Sequence, residues 1–188
     1  MIWFGEKNMD DYELSRNVFS SLNCFFCDNT KDNWTVDLNE NDDDGNIGYS
    51  IKIKGVPNNT LVLKTDILEM KKAFMCAKGE CKRADFAIIA TGEKKIIFIE
   101  MKKTKLNNEE LVKQLKGASV FVDFCKLIVS EFWGRPDFLR GYKKYYVSLS
   151  HTPLAKGPSK SNSKKKSHTS PEKHLRIRGM AAIHYQHL

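Results

Sequence analysis

Asp85 and Glu100 are the residues best placed to act together chemically, because each stands at the outer end of an apolar, β-branched run. The runs are Ala84-Asp85-Phe86-Ala87-Ile88-Ile89-Ala90 and Lys95-Ile96-Ile97-Phe98-Ile99-Glu100-Met101-Lys102, joined through Thr91-Gly92-Glu93-Lys94. Gly at the first central position of a two-residue loop predicts a type II′ hairpin. If Thr91 pairs with Lys94, Asp85 falls directly opposite Glu100, and strand alternation puts Lys102 on the face of Glu100. Facing carboxylates repel one another, so the pairing calls for a cation. A hard divalent ion with oxygen ligands suits two converging carboxylates, and Lys102 adds a cationic donor beside it. The plainer alternative is a solvated hairpin end.

The surrounding elements must hold that hairpin. Asp10 to Leu22 reads as an amphipathic helix with Tyr12, Leu14, Val18, Phe19 and Leu22 on its apolar side. Ile47 to Lys54 and Thr60 to Thr65 read as a strand pair around the turn-forming Gly55-Val-Pro-Asn-Asn59. After the hairpin, Asn107 is an N-cap with Glu110 three residues on. Leu111, Leu115, Ala118, Val122 and Cys125 then recur at helical spacing. Tyr145 to Ser150 and Leu175 to Ile183 read as later strands. The order predicts a single α/β domain over residues 1–188, a sandwich around a mixed sheet.

Asp85, followed after the hairpin by Glu100-Met101-Lys102, resembles the core motif of the PD-(D/E)xK nuclease superfamily, with Ala84 in place of the usual Pro. The resemblance covers roughly residues 60 to 150. It implies a restriction-endonuclease-like fold, a mixed β-sheet flanked by helices, whose core runs helix, three strands, helix, strand. It also implies metal-dependent hydrolysis of phosphodiester bonds, with DNA the favoured substrate and RNA the other. Asp85 and Glu100, with the Met101 backbone carbonyl, would then hold Mg2+, or Mn2+ in its place, and Lys102 would act on the attacking water. Gln114 stands where RecB-type members carry a glutamine near the active site, and Glu13 where some branches add an acidic ligand. Such a compact nuclease in a prokaryote would suit phage defence or restriction.

Charge is uneven. Seven acidic residues lie between Asp28 and Gly45 against Lys31, and ten Lys or Arg lie from Lys143 to Arg178 against Glu172, within a net charge of +8. The Ser/Lys/Pro-rich stretch at about 156–173 is expected to form a mobile basic loop whose Lys164, Lys165 and Lys166 grip nucleic acid. Arg176 and Arg178 alternate with Leu175 and Ile177, so both should leave one strand face toward the phosphate backbone. No membrane span or secretory leader is expected, and cytoplasm is the default location. A homodimer is compatible with two-strand cutting.

Five cysteines without a secretory leader argue against a disulfide scaffold. Cys24/Cys27 and Cys76/Cys81 together could close a structural zinc site. Glu40 to Ile51 imitates an EF-hand loop but lacks its last carboxylate, so an exposed acidic turn is expected there. Two alternatives to a nuclease remain: a non-catalytic nucleic-acid-binding or interaction module that retains the fold, and a zinc-stabilised regulatory protein.

Overall fold

The computed structural model describes residues 9–30, 33–41, 47–67, 70–103, 107–150 and 167–188. Helix α1 is Asp11–Val18 and helix α2 is Asn108–Trp133. The strands are β1 (Cys24–Cys27), β2 (Trp34–Asn41), β3 (Ile47–Val56), β4 (Thr60–Lys64), β5 (Phe86–Ala90), β6 (Lys95–Lys102), β7 (Lys143–Ser150), β8 (Leu175–Arg178) and β9 (Ala182–His184). A six-stranded mixed sheet runs β1-β4-β5-β6-β7-β8, and a three-stranded sheet runs β2-β3-β9.

Continuous apolar runs explain the centre of the large sheet. All five residues of β5 and the inner six of β6 are buried, as strands covered on both faces require. Phe86, Ile88, Ile97, Ile99 and Met101 face the small sheet and pack with Leu38, Ile51, Ile53 and Ile183. Ala87, Ile89, Ile96 and Phe98 face the other way, onto Leu14 of α1 and Leu111, Leu115, Val122 and Val129 of α2. Both helices therefore cover one face of the large sheet, and the small sheet covers the other. The α/β class stands, but the expectation of a sheet flanked by helices holds on one face only.

Long-range pairing also rearranges several expected elements. Ile47–Val56 and Thr60–Lys64 are consecutive strands but do not pair, because β3 joins β2 and β9 while β4 joins β1 and β5. The span Leu175 to Ile183 divides at Gly179 into β8 and β9, which serve different sheets. Strands β1 and β2 had no sequence expectation behind them. Helix α1 stops at Val18, short of Leu22, where Ser20-Ser21 competes for backbone hydrogen bonds. Helix α2 begins as expected, with Asn107 accepting from the Glu109 N–H at 3.1 Å, and ends on left-handed Gly134.

The connection β6-α2-β7 is the one that serves the site. β6 and β7 are parallel, so α2 runs back across the sheet and starts beside the end of β6. In the expected basic loop, residues 156–166 with Lys164, Lys165 and Lys166 lie outside the described residues. Its far end is anchored: the Tyr146 N–H donates to the His168 carbonyl at 2.9 Å, and Pro171–Lys173 forms a 3-10 turn. Among the described residues no helix is long and apolar enough to cross a membrane.

Candidate active site

The β5–β6 register runs from Ala90↔Lys95 to Phe86↔Ile99. The ladder stops one residue short of Asp85, which lies in a bend beside Glu100 and acts on its carboxyl, so the two carboxyls neighbour one another as the sequence predicts. The turn differs, however. It is Lys94, not Gly92, that takes positive φ (49°), and the Lys94 N–H closes the turn on the Thr91 carbonyl at 3.2 Å. The register survives because both turn geometries bring the same residues opposite. Thr65 at the end of β4 pins the other end: its N–H donates to the Asp85 carbonyl at 3.0 Å and its hydroxyl donates to the Ala84 carbonyl.

Three charged side chains meet there, and a fourth arrives from the other sheet. Glu100 is fully buried, and its Oε2 has no hydrogen-bond partner. Lys102 Nζ lies 2.8 Å from Glu100 Oε1, a close ion pair. The same Nζ lies 3.3 Å from Glu40 Oε1 of β2. Asp85 Oδ2 accepts the Met101 N–H at 2.6 Å. In an extended strand a residue's N–H and C=O point to the same edge, so the Met101 carbonyl is directed to the Asp85 side.

Burial dominates the electrostatics. Desolvation pushes the Asp85 carboxyl up to about 7 against the pull of Lys102. Desolvation, then the nearby Asp85, holds Glu100 well above the usual carboxylate range. For Lys102 burial acts the other way, but Glu100, Asp85 and Glu40 overcome it and hold the ammonium above its ordinary value. A buried carboxyl with one oxygen unpartnered and a second carboxyl beside it is an arrangement that a further ion or substrate can complete.

Glu40 is the site residue that sequence reasoning missed. It was grouped with an exposed acidic turn, yet its side chain is only 28% exposed. The missed signal is alternation: Val36, Leu38 and Glu40 share one strand face, and the first two are core. Residues 42–46 of that turn lie outside the described residues. Glu13, by contrast, is exposed on α1.

Helix α2 closes over the site from its N-terminal half. The Ala84 N–H donates to the Gln114 carbonyl at 2.9 Å, so Gln114 sits one residue from Asp85. Its side-chain Oε1 is buried without a hydrogen-bond partner. The approach is possible because residue 117 is glycine: a Cβ there would collide with the Lys82 carbonyl. Lys82 also pairs with Glu110 of α2. The loop before Asp85 is closed by a Cys76–Cys81 disulfide, with Cα atoms 5.2 Å apart, and carries Lys71, Lys72 and Lys78 at exposed positions.

Cations line the same side. Leu175 and Ile177 pack into the inter-sheet core, which leaves the exposed Arg176 and Arg178 on the helix-covered face, as alternation predicts. Pairing aligns Glu100 with Ser148 and Arg176, and Lys102 with Ser150 and Arg178. Arg176 is thus two strand spacings from Glu100, roughly 10 Å. It donates to His174 Nε2 at 3.0 Å and to Asn108 Oδ1 at the start of α2.

The donor set suits a hard cation. Two carboxylates and a backbone carbonyl, with waters and a substrate phosphate, are how Mg2+ is commonly held. Among the described residues no group of three or more His, Cys, Asp or Glu forms a metal site by itself. The four-thiolate set is not assembled: Cys76 and Cys81 bond to each other, and Cys24 and Cys27 are free thiols on β1. The Cys76–Cys81 bond closes a local loop, its partners five residues apart, where the sequence offered a zinc ligand pair.

No family model, curated protein or solved structure matches this chain.

Proposed function

We propose that this protein is a metal-dependent nuclease with a restriction-endonuclease-like core, acting on DNA in preference to RNA. The observation that carries the reading is Glu100, a fully buried carboxyl paired with Lys102 at 2.8 Å and standing beside a second buried carboxyl, Asp85. The element order α1, β4, β5, β6, α2, β7 also supports it, since it runs helix, three strands, helix, strand. Strands β1, β2 and β3 would then be an insertion after the first helix.

Asp85, Glu100 and the Met101 carbonyl would hold magnesium, which acidifies a bound water and neutralises charge on a phosphate. Lys102, kept protonated by three carboxylates, acts as a charged donor that orients the attacking water rather than as a base. Glu40 fixes the Lys102 ammonium from the opposite sheet. Gln114 Oε1 offers an acceptor close to Asp85. Arg176 and Arg178 would contact the backbone phosphates that flank the scissile bond.

A second reading has its own observation. Lys102 already compensates part of the Glu100 charge at 2.8 Å, as it would in a binding module that keeps the fold without the reaction. Incubation of the full chain with labelled duplex and single-stranded DNA, with Mg2+ or Mn2+, separates the two. Cleavage that EDTA and Lys102→Ala abolish, with binding retained, is the expected result. Salt-sensitive binding without cleavage under either metal would establish the second reading, and full activity in Lys102→Ala would remove Lys102 from the mechanism.

A further inference from the structure

Helix α2 has two apolar sides, and the fold uses one. Leu111, Leu115, Ala118, Val122, Cys125 and Val129 pack onto the large sheet. On the outer surface Val120, Phe124 and Leu127 are 60%, 49% and 63% exposed. A surface helix that ends its contacts at one sheet should present polar residues there. Instead, three large apolar residues occupy the middle of the outer face, with Lys116 exposed on one side of them and Glu131 exposed on the other.

Four of these five residues, all but Phe124, are placed symmetrically about the midpoint between Asp123 and Phe124. Lys116, Val120, Phe124, Leu127 and Glu131 follow at intervals of four, four, three and four. At 100° per residue they share an arc of about 80° on the helix. Laid antiparallel against a copy of itself about a point beside Phe124, the stripe sets Val120 opposite Leu127 and Lys116 opposite Glu131. The two Phe124 rings then meet across the centre. Each half satisfies the other: apolar against apolar, cation against anion. A two-fold interface requires this self-complementarity, and a stripe covered by an unrelated partner does not.

We propose that α2 is a homodimer interface, in which two copies of this chain pair antiparallel through the stripe from Lys116 to Glu131. The flanking charges do not obstruct it. Asp123 is engaged by Lys144 at 2.7 Å, and Lys113 by Glu109 at 2.7 Å. Lys116 is one of the lesser influences that hold the Glu172 carboxyl of the 3-10 turn below its ordinary value. The inference is independent of the chemistry proposed above. It does place the two copies of Gln114 about 28 Å apart along the helix axis, so the two candidate sites would work on separate stretches of a polymer.

Sedimentation of the full chain tests the proposal directly. A species of twice the chain mass at micromolar concentration is expected, and Phe124→Lys should weaken its association at least about tenfold. Because Phe124 is half exposed, that variant should keep the wild-type circular dichroism spectrum and melting temperature. The register has its own test in a Cys24→Ser background, where the remaining free thiols are buried. A mixture of Val120→Cys and Leu127→Cys chains should cross-link under mild oxidation, and Val120→Cys alone should not. Lys116→Glu should weaken the dimer, and Lys116→Glu combined with Glu131→Lys should restore it. A wild-type monomer at tens of micromolar, whether the stripe is bare or covered by another segment of the same chain, would overturn the proposal. So would a dimer indifferent to Phe124→Lys, or cross-linking of Val120→Cys alone.

Discussion

The two ends of the β5–β6 hairpin carry the same chemistry in opposite circumstances. At the turn, Glu93 and Lys95 form an ion pair at 2.7 Å with side chains 42% and 28% exposed, and Glu93 also accepts from the Tyr185 hydroxyl at 2.9 Å. At the open end, Glu100 and Lys102 stand at nearly the same distance, 2.8 Å, but Glu100 has no exposed surface and Asp85 adds a second negative charge. Distance is therefore not what distinguishes them. Water screens the first pair, which contributes at most about 1 kcal/mol. In the second, desolvation exceeds what one ammonium offsets, so the two carboxyls favour protons that a cation would have to displace. A lysine two residues from a glutamate is solvent-screened at one end of the hairpin and faces a fully buried carboxyl at the other.

The largest expected effect separates the two ends by activity. Glu100→Gln should reduce metal-dependent cleavage by at least ~100-fold without lowering the melting temperature, because it removes a buried charge of similar shape. A variant that cleaves at the wild-type rate would place the chemistry elsewhere.

A stability effect comes next. Gly117→Ala drives a methyl group into the Lys82 carbonyl and should cost about 1–3 kcal/mol in denaturant unfolding. It should also impair the site by moving α2 away from Asp85, whereas nothing near Gly92 at the turn would meet an added methyl group.

The pH dependence sharpens the comparison further. The folded-state value of Asp85, about 7, lies above its ordinary 3.8, so the folded chain holds an extra proton between those values. The stability that this group contributes is complete below pH 4 and is lost as pH rises through 7. Mg2+ competes with that proton, so it should raise the melting temperature by less at pH 5 than at pH 8. Asp85→Asn should remove the difference. Equal magnesium effects at both pH values would contradict the assignment.

The smallest effect belongs to the turn. Glu93→Gln should shift stability by under about 1 kcal/mol and leave activity unchanged in the same assays.

What the sequence revealed was local. The hairpin register followed from two apolar runs and a short connection, and the start of α2 from Asn107 and the spacing of Leu111, Leu115, Ala118 and Val122. The placement of Asp85, Glu100, Gln114 and the two arginines on one side of the sheet followed from those. What escaped notice depends on partners far away in the chain. β2 reads as an acidic, polar stretch because its alternate residues face solvent, and only its pairing with β3 makes it a strand. Nothing near Glu40 points to Lys102, sixty-two residues on. The separation of β3 from β4 into two sheets likewise rests on β9, whose Ile183 pairs with Ile53.

The parallel contact of β9 with β3 also bears on biosynthesis. Lys52–Lys54 finds its neighbours in Ala182–His184, so the small sheet stays incomplete on the ribosome until His184 has been translated. The sheet that brings Glu40 to Lys102 is therefore finished late. A nascent chain would carry its carboxylate pair before Glu40 could reach the Lys102 ammonium, so the four-residue cluster forms only after Ala182–His184 has been made.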